Sequence, residues 1–183
     1  NYMQQHGKRF STLKRVIVGG SAAPEAMIRT FQDDYGVELR HAWGMTETSP
    51  LGTFCSLTPA MKTLPHDQQI AQQRKQGRPA FGVELRIVDD AGEVLPESGE
   101  VSGDLQIRGP WVCSGYYKQD ESSTHHEDGW FSTGDVATLD PAAFMHITDR
   151  SKDVIKSGGE WISSITLENL AMGHPAVAEA AVI

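Results

Sequence analysis

Cysteine is scarce. The 183 residues hold two, Cys55 and Cys113, and neither has a close-spaced partner. A disulfide framework or a zinc site would need more, and a reducing, cytoplasmic setting is expected. Basic charge is also short. Sixteen Lys and Arg against 24 Asp and Glu leave a net charge of −8. Binding to a nucleic-acid backbone leans on clustered Lys and Arg, so nucleic acid is not an expected partner. No apolar run approaches the roughly 18 residues of a membrane span. No signal peptide is visible, and membrane association is not indicated. The His125-His126 pair has no further ligand at metal spacing and reads as a solvated loop. The chain starts at Asn1 and ends inside the apolar run VAEAAVI. Both ends read as cut, and an internal piece of a longer polypeptide is expected.

What is present has the composition of a soluble globular protein, 39% hydrophobic and 22% charged. Residues 14–18, KRVIV, form a short apolar run ending at Gly19-Gly20, which predicts a buried strand running into a turn. In the next stretch, SAAPEAMIRTFQDDYG, Pro24 and Glu25 suit a first helical turn. Met27, Ile28, Phe31 and Tyr35 share one helical face, and Gly36 is a natural stop. Residues 37–43, VELRHAW, predict a second strand. Strand, helix, strand make a β-α-β unit of an α/β domain. Residues 56–78 are polar and aperiodic, with a short helix expected near 68–75. From residue 79 to 148 the texture becomes short alternating strands, as in VELRIVD and GEVSGDLQIRG around the turn DAGE. That predicts a small β subdomain. Past Asp149, a short strand into a Gly turn, a helix capped by Ser163 or Ser164 and closed by Gly173, and a last strand in AVAEAAVI are expected.

Four clusters carry polar chemistry. In GGSAAP, residues 19–24, a strand ends in small residues before a helix, which lets a ligand approach the backbone closely. It lacks the Gly-Lys-Ser/Thr ending of a Walker A loop. In WGMTET, residues 43–48, Trp43 offers a flat face for a base, and Thr46 and Thr48 offer hydroxyls for phosphate. Glu47 is a hard oxygen donor suited to Mg²⁺. In GWFSTGD, residues 129–135, Asp135 stands in a Gly-bounded turn where a carboxylate can accept two hydrogen bonds from a vicinal diol. In DRSKDVIKSGGEWIS, residues 149–163, Arg150 has fixed donors for hydroxyl and phosphate oxygens. Each cluster alone also reads as ordinary structure: a turn, a loop with a core Trp, a turn satisfying local amides, a solvated charged strand.

In this order, the four resemble the adenylate-forming superfamily, which includes acyl-CoA synthetases, firefly luciferase and peptide-synthetase adenylation domains. The last motif, with LENLAMGHPAVAEAAVI behind it, is most similar to medium- and long-chain fatty acyl-CoA synthetases. The resemblance implies an α/β fold. Residues 1–148 would be the C-terminal portion of the large AMP-binding domain, divided into an α/β part (1–78) and a β subdomain (79–148). Residues 149–183 would be the hinge and the start of a small α+β C-terminal domain. It implies a ligase of lipid metabolism that uses ATP, Mg²⁺ and coenzyme A to turn a fatty acid into its thioester through an acyl-adenylate, and it allows a homodimer. Position by position, Trp43 stands where the family usually has Tyr and would stack on adenine, beside Gly44. Thr46 would contact phosphate, and Glu47 would hold the metal. Asp135 and Arg150 would hold the ribose hydroxyls. Gly19, Gly20, Ser21 and Ala22 would line the adenylate and acyl pocket, and Lys152 would be the hinge residue. Trp161 would belong to a surface used in thioester formation, or simply pack. The family's phosphate loop and its C-terminal catalytic Lys are not among these residues, and Ala143 stands where a turn Gly is common. Without those two elements, the 183 residues alone are expected not to catalyse adenylation. An aryl- or short-chain acyl-CoA ligase, a carrier-loading adenylation domain and an idle nucleotide-binding homologue are the alternatives.

Overall fold

A computed structural model describes residues 2–118, 124–126, 128–157, 160–172, 174 and 176–182. A short helix α1 (Tyr2–Gln5) precedes strand β1 (Arg15–Val18), and helix α2 (Glu25–Arg29) leads to β2 (Glu38–Gly44). β1 and β2 pair in parallel, as the β-α-β pattern predicts. Strands β3 (Leu51–Phe54) and β4 (Arg78–Pro79) add antiparallel neighbours, giving a sheet in the order β1-β2-β3-β4. Helix α3 (His66–Gln73) lies between them in sequence, slightly before its expected place. It packs Ile70 with Ala23, Ile28 and Leu39 against one side of the sheet.

Two expectations need correction here. β1 is not buried, since Ile17 is 62% exposed. Among the described residues its neighbour is β2, and the side-chain period of two turns only Val16 and Val18 to the α2 cluster. Met27 is likewise 39% exposed, while Ile28 on the same helix is fully buried. The helix widens into a π turn at Thr30–Asp34, so the four-residue spacing does not persist long enough to keep one straight apolar stripe. Phe31 and Tyr35 instead gather around Phe10, with ring centroids 6.2 and 5.5 Å from it.

The second sheet is an antiparallel meander of β5 (Glu84–Val88), β6 (Gly103–Arg108), β7 (Phe131–Leu139) and β8 (Met145–Arg150). Alternation buries Ile87, Leu105, Ala137, Leu139 and Met145 in one cluster. The DAGE turn is closed by Asp89, whose carboxylate accepts from the amides of Ala91 and Glu93. Gln76 ties the two sheets. Its side-chain carbonyl accepts from the Ile147 amide at 2.6 Å, and its own carbonyl accepts from Thr53 Oγ1 at 2.8 Å.

A hairpin of β9 (Ile155–Ser157) and β10 (Glu160–Ile162) follows, then helix α4 (Ser164–Met172). Ser163 is the cap: its Oγ accepts from the Thr166 amide. Gly158, Gly159 and Gly173 lie outside the described residues, as does the side chain of Trp161. The expected last strand is not formed, because residues 176–182 pair with no other strand among the described residues. Alternating apolar residues make a strand only where a neighbour takes up the backbone hydrogen bonds.

Candidate nucleotide site

A cavity of about 550 Å³ opens where the two sheets and α4 meet. Its floor is the turn after β1, with Gly20, Ser21 and Ala22 on the wall. Trp43 and Gly44 come from the end of β2, Asp135 from β7 and Arg150 from β8. The structure therefore brings together these expected site residues from positions 20 to 150 of the sequence. Gly19 does not line the cavity. Neither do Thr46 and Glu47, which sit just beyond Gly44 in a 3-10 turn at Thr46–Thr48. Lys152 is exposed in the turn after β8 and also stands apart.

Asp135 is the best-built part of the site. It does not sit in a simple turn as expected; it lies inside β7, as the last residue of a bulge. Gln106 of β6 pairs with Ser132 and Asp104 with Val136, so three residues of β7 oppose Leu105 alone. Gly134 takes φ +76° there, a conformation that costs other residues about 1–2 kcal/mol. Bulges of this kind re-aim a side chain. The Asp135 side chain is only 4% exposed and pairs with Arg150 Nη1 at 2.9 Å. The Trp43 indole N–H donates to the other oxygen, Oδ2, at 3.0 Å. Burial pushes the Asp135 carboxyl above its ordinary pKa, and Arg150 and then the Trp43 N–H pull it back in part.

The far wall contains groups that sequence reasoning missed: His41, Arg74, Gln76, His146 and Thr148. Alternation held a signal for some of them, since His41 and Trp43 are two apart on β2, and His146, Thr148 and Arg150 are two apart on β8. His41 Nε2 lies 3.0 Å from the Ser21 carbonyl, which fixes the glycine-rich turn to β2. Burial, then the charges of Arg74 and Lys75 with His41, hold His146 below its ordinary pKa. It presents a neutral imidazole to the cavity at pH 7.

Asp149 was also missed. Its stretch also reads as a solvated charged strand, yet Asp149 is 1% exposed. Its carboxylate accepts from the Ser164 amide at 2.6 Å, the Ser164 hydroxyl at 2.9 Å and the Arg150 amide at 2.7 Å. Ser163 Oγ also donates to the Thr148 carbonyl. These bonds dock the start of α4 on β8 and bring Ile165 and Thr166 to the cavity rim.

Glu47 accepts from the Tyr116 hydroxyl at 2.8 Å, and its carbonyl accepts from the Cys113 amide at 2.8 Å. Among the described residues no group of three His, Cys, Asp or Glu stands close enough to hold a metal. A single carboxylate suits Mg²⁺ that arrives already bound to phosphate oxygens. His125 and His126 have local partners, the Cys113 carbonyl at 3.1 Å and Ser132 Oγ at 2.7 Å. The buried Cys55 thiol is pushed up to about 12, mainly by desolvation, so it is not a nucleophile. No helix among the described residues is long and apolar enough to cross a membrane.

A half-enclosed cavity with a few convergent polar groups, at the ends of strands in an α/β fold, has the build of a small-molecule site. The family described as AMP-binding enzyme matches residues 1–117, and the chain belongs to that family. It is 53% identical over 177 residues to the 3-methylmercaptopropionyl-CoA ligase of Ruegeria lacuscaerulensis, covering 97% of this chain and 33% of the relative. It is also 53% identical over 178 residues to the medium-chain-fatty-acid–CoA ligase of Ectopseudomonas oleovorans, covering 97% and 32%. Among solved structures it resembles the o-succinylbenzoate CoA synthetase of Bacillus subtilis. The complex of that enzyme with an acyl-adenylate intermediate superposes with a TM-score of 0.80 at 28% identity, covering 99% of this chain and 35% of that one. Its complex with ATP and magnesium ion gives 0.76 at 30%, covering 95% and 34%. The chain thus spans about a third of the length of these relatives.

Proposed function

We propose that this chain supplies the adenosine-binding part of an acid–thiol ligase that activates an aliphatic carboxylic acid with ATP and transfers it to coenzyme A. The observation that carries the reading is the occupancy of Asp135. An ionised carboxylate has about four lone-pair positions. Arg150 takes one on Oδ1 and Trp43 takes one on Oδ2. One position on each oxygen is left, which matches the two hydroxyls of a ribose.

The reaction proceeds in two steps. A carboxylate oxygen of the acid bonds to the α-phosphorus of ATP, and the bond to pyrophosphate breaks. The coenzyme A thiolate then bonds to the acyl carbon, and AMP leaves. Asp135 and Arg150 orient the ribose, and Trp43 and the 20–22 turn bound the base. Thr46 would meet phosphate, and Glu47 would hold the Mg²⁺ that enters with ATP, whose charge would offset that of the leaving pyrophosphate. Gly19 belongs to the backbone that gives the pocket its width. Residues 1–148 belong to the large domain and residues 149–183 to a hinge and a second domain, with Lys152 at the pivot. Two relatives of equal identity are named for a short sulfur-containing acid and for medium-chain fatty acids, which favours small to medium aliphatic acids as substrates.

Calorimetric titration of the complete polypeptide with ATP and Mg²⁺ tests the site. Asp135→Asn replaces two acceptors with one acceptor and one donor. The expected outcome is ATP affinity lower by about tenfold or more, from hydrogen bonds to a charged group. Unchanged affinity in a folded variant would remove Asp135 from the site.

A further inference from the structure

The indole of Trp43 is gripped at both ends. Nε1 donates to Asp135 Oδ2. The opposite edge of the ring lies on Gly52, where an added Cβ would stand 2.3 Å from Cζ3 and 2.5 Å from Cε3. Only a glycine admits the ring this closely. The same ring packs against both apolar clusters of the second sheet, one around Ile87 and Leu105 and one around Val83, Ile107 and Phe131. It cannot turn about its side-chain bonds without breaking the hydrogen bond or leaving the Gly52 slot.

The two donors to Asp135 are therefore unequal. The Arg150 side chain is 58% exposed, and a long exposed side chain is mobile and screened by water. The indole N–H is held by packing. With Arg150 alone, a planar guanidinium favours a bidentate pair that engages both carboxylate oxygens. A second, fixed donor on Oδ2 opposes that rotation and keeps one lone pair on each oxygen directed into the cavity.

We infer that Trp43 is a positioning residue for Asp135, its indole N–H setting the carboxylate for a vicinal diol and so setting the preference for ribose over a sugar without hydroxyls. The inference rests on the proposed diol-binding role of Asp135. It goes beyond a flat face for a base, because stacking needs the ring and this role needs the N–H. A phenol at this position would carry its polar hydrogen elsewhere on the ring.

The test uses the complete polypeptide and two ligands, AMP and 2′,3′-dideoxy-AMP, with Kd measured by calorimetry. The wild type is expected to bind AMP more tightly. Trp43→Phe keeps an aromatic face and loses the N–H. It is expected to weaken AMP by about tenfold while changing the dideoxy ligand far less, so the ratio of the two Kd values falls. Replacing Trp43 by its benzothiophene analogue, which keeps the bicyclic shape without the N–H, is expected to give the same fall. In an Asp135→Asn background the Phe change should leave the ratio alone. Equal weakening of both ligands, or an unchanged ratio in the benzothiophene variant, would overturn the positioning role while leaving the diol reading intact. A wild type that does not distinguish AMP from its dideoxy form would overturn the diol reading and this inference with it.

Discussion

At the scale of single residues, the site depends on a few backbone conformations and one buried charge. Ala143 sits at φ +61° in the turn from Asp140 to Phe144, a conformation that favours glycine. Ala143→Gly relieves left-handed strain of about 1–2 kcal/mol at some cost in chain entropy. A gain of about 1 kcal/mol is expected, read as a higher melting temperature, with no change in nucleotide affinity. Asp135 gives a pH signature. Its folded pKa is raised, so it takes up a proton at a higher pH than an ordinary Asp. Nucleotide affinity should therefore fall, as pH drops, earlier than an ordinary carboxylate would cause, and Asp135→Asn should remove that limb of the profile. Stability moves the other way. Between the ordinary and the raised value the folded chain keeps a proton that the unfolded chain has released, so this group's contribution falls as pH rises through that window. The identity of Asp135 and Arg150 as a pair was legible from their motifs. The Trp43–Asp135 bond was not, because it joins residues 92 positions apart, and no local pattern encodes such a meeting.

At the scale of elements, local signals worked where local physics decides. Pro24 at the start of α2, Gly36 after the π turn, and the alternation in β5 to β8 all placed structure that exists. They failed where pairing or packing decides. β1 reads as buried from its Val and Ile content, yet only the face with Val16 and Val18 meets an apolar cluster, and Ile17 on the other face is exposed. The AVAEAAVI alternation found no neighbour among the described residues. The glycine in GWFSTGD signalled a turn, and the chain used it for a bulge within β7. The docking of α4 is another such case: Asp149 looks like one charge among many until its three donors are counted. Asp149→Ala removes the acceptor for the Ser164 amide and hydroxyl. Amide exchange of residues 165–172 is expected to accelerate by about an order of magnitude, from a loss of about 1–2 kcal/mol at the cap, while β5 to β8 keep their protection. Equal loss across the second sheet would show that Asp149 holds the whole domain and not the helix.

At the scale of the whole molecule, the site is an assembly point. The parallel pair supplies the glycine turn and Trp43, the meander supplies Asp135 and Arg150, and α4 closes the rim. The fold class was legible because four motifs fall in one family order, and the same motifs named Trp43, Asp135 and Arg150, which line one cavity. The histidine and glutamine wall was not, because those residues carry no motif and reach the cavity only through strand register. The chain spans about a third of its relatives' length, so the proposed activity belongs to the complete polypeptide. ATP–pyrophosphate exchange by that polypeptide, across butyrate, octanoate, palmitate, benzoate and an amino acid, tests the central claim most directly. Exchange driven by the aliphatic acids, and none from the 183-residue chain by itself, is the expected result. A folded polypeptide that binds ATP and exchanges with no acid in the panel would contradict the account.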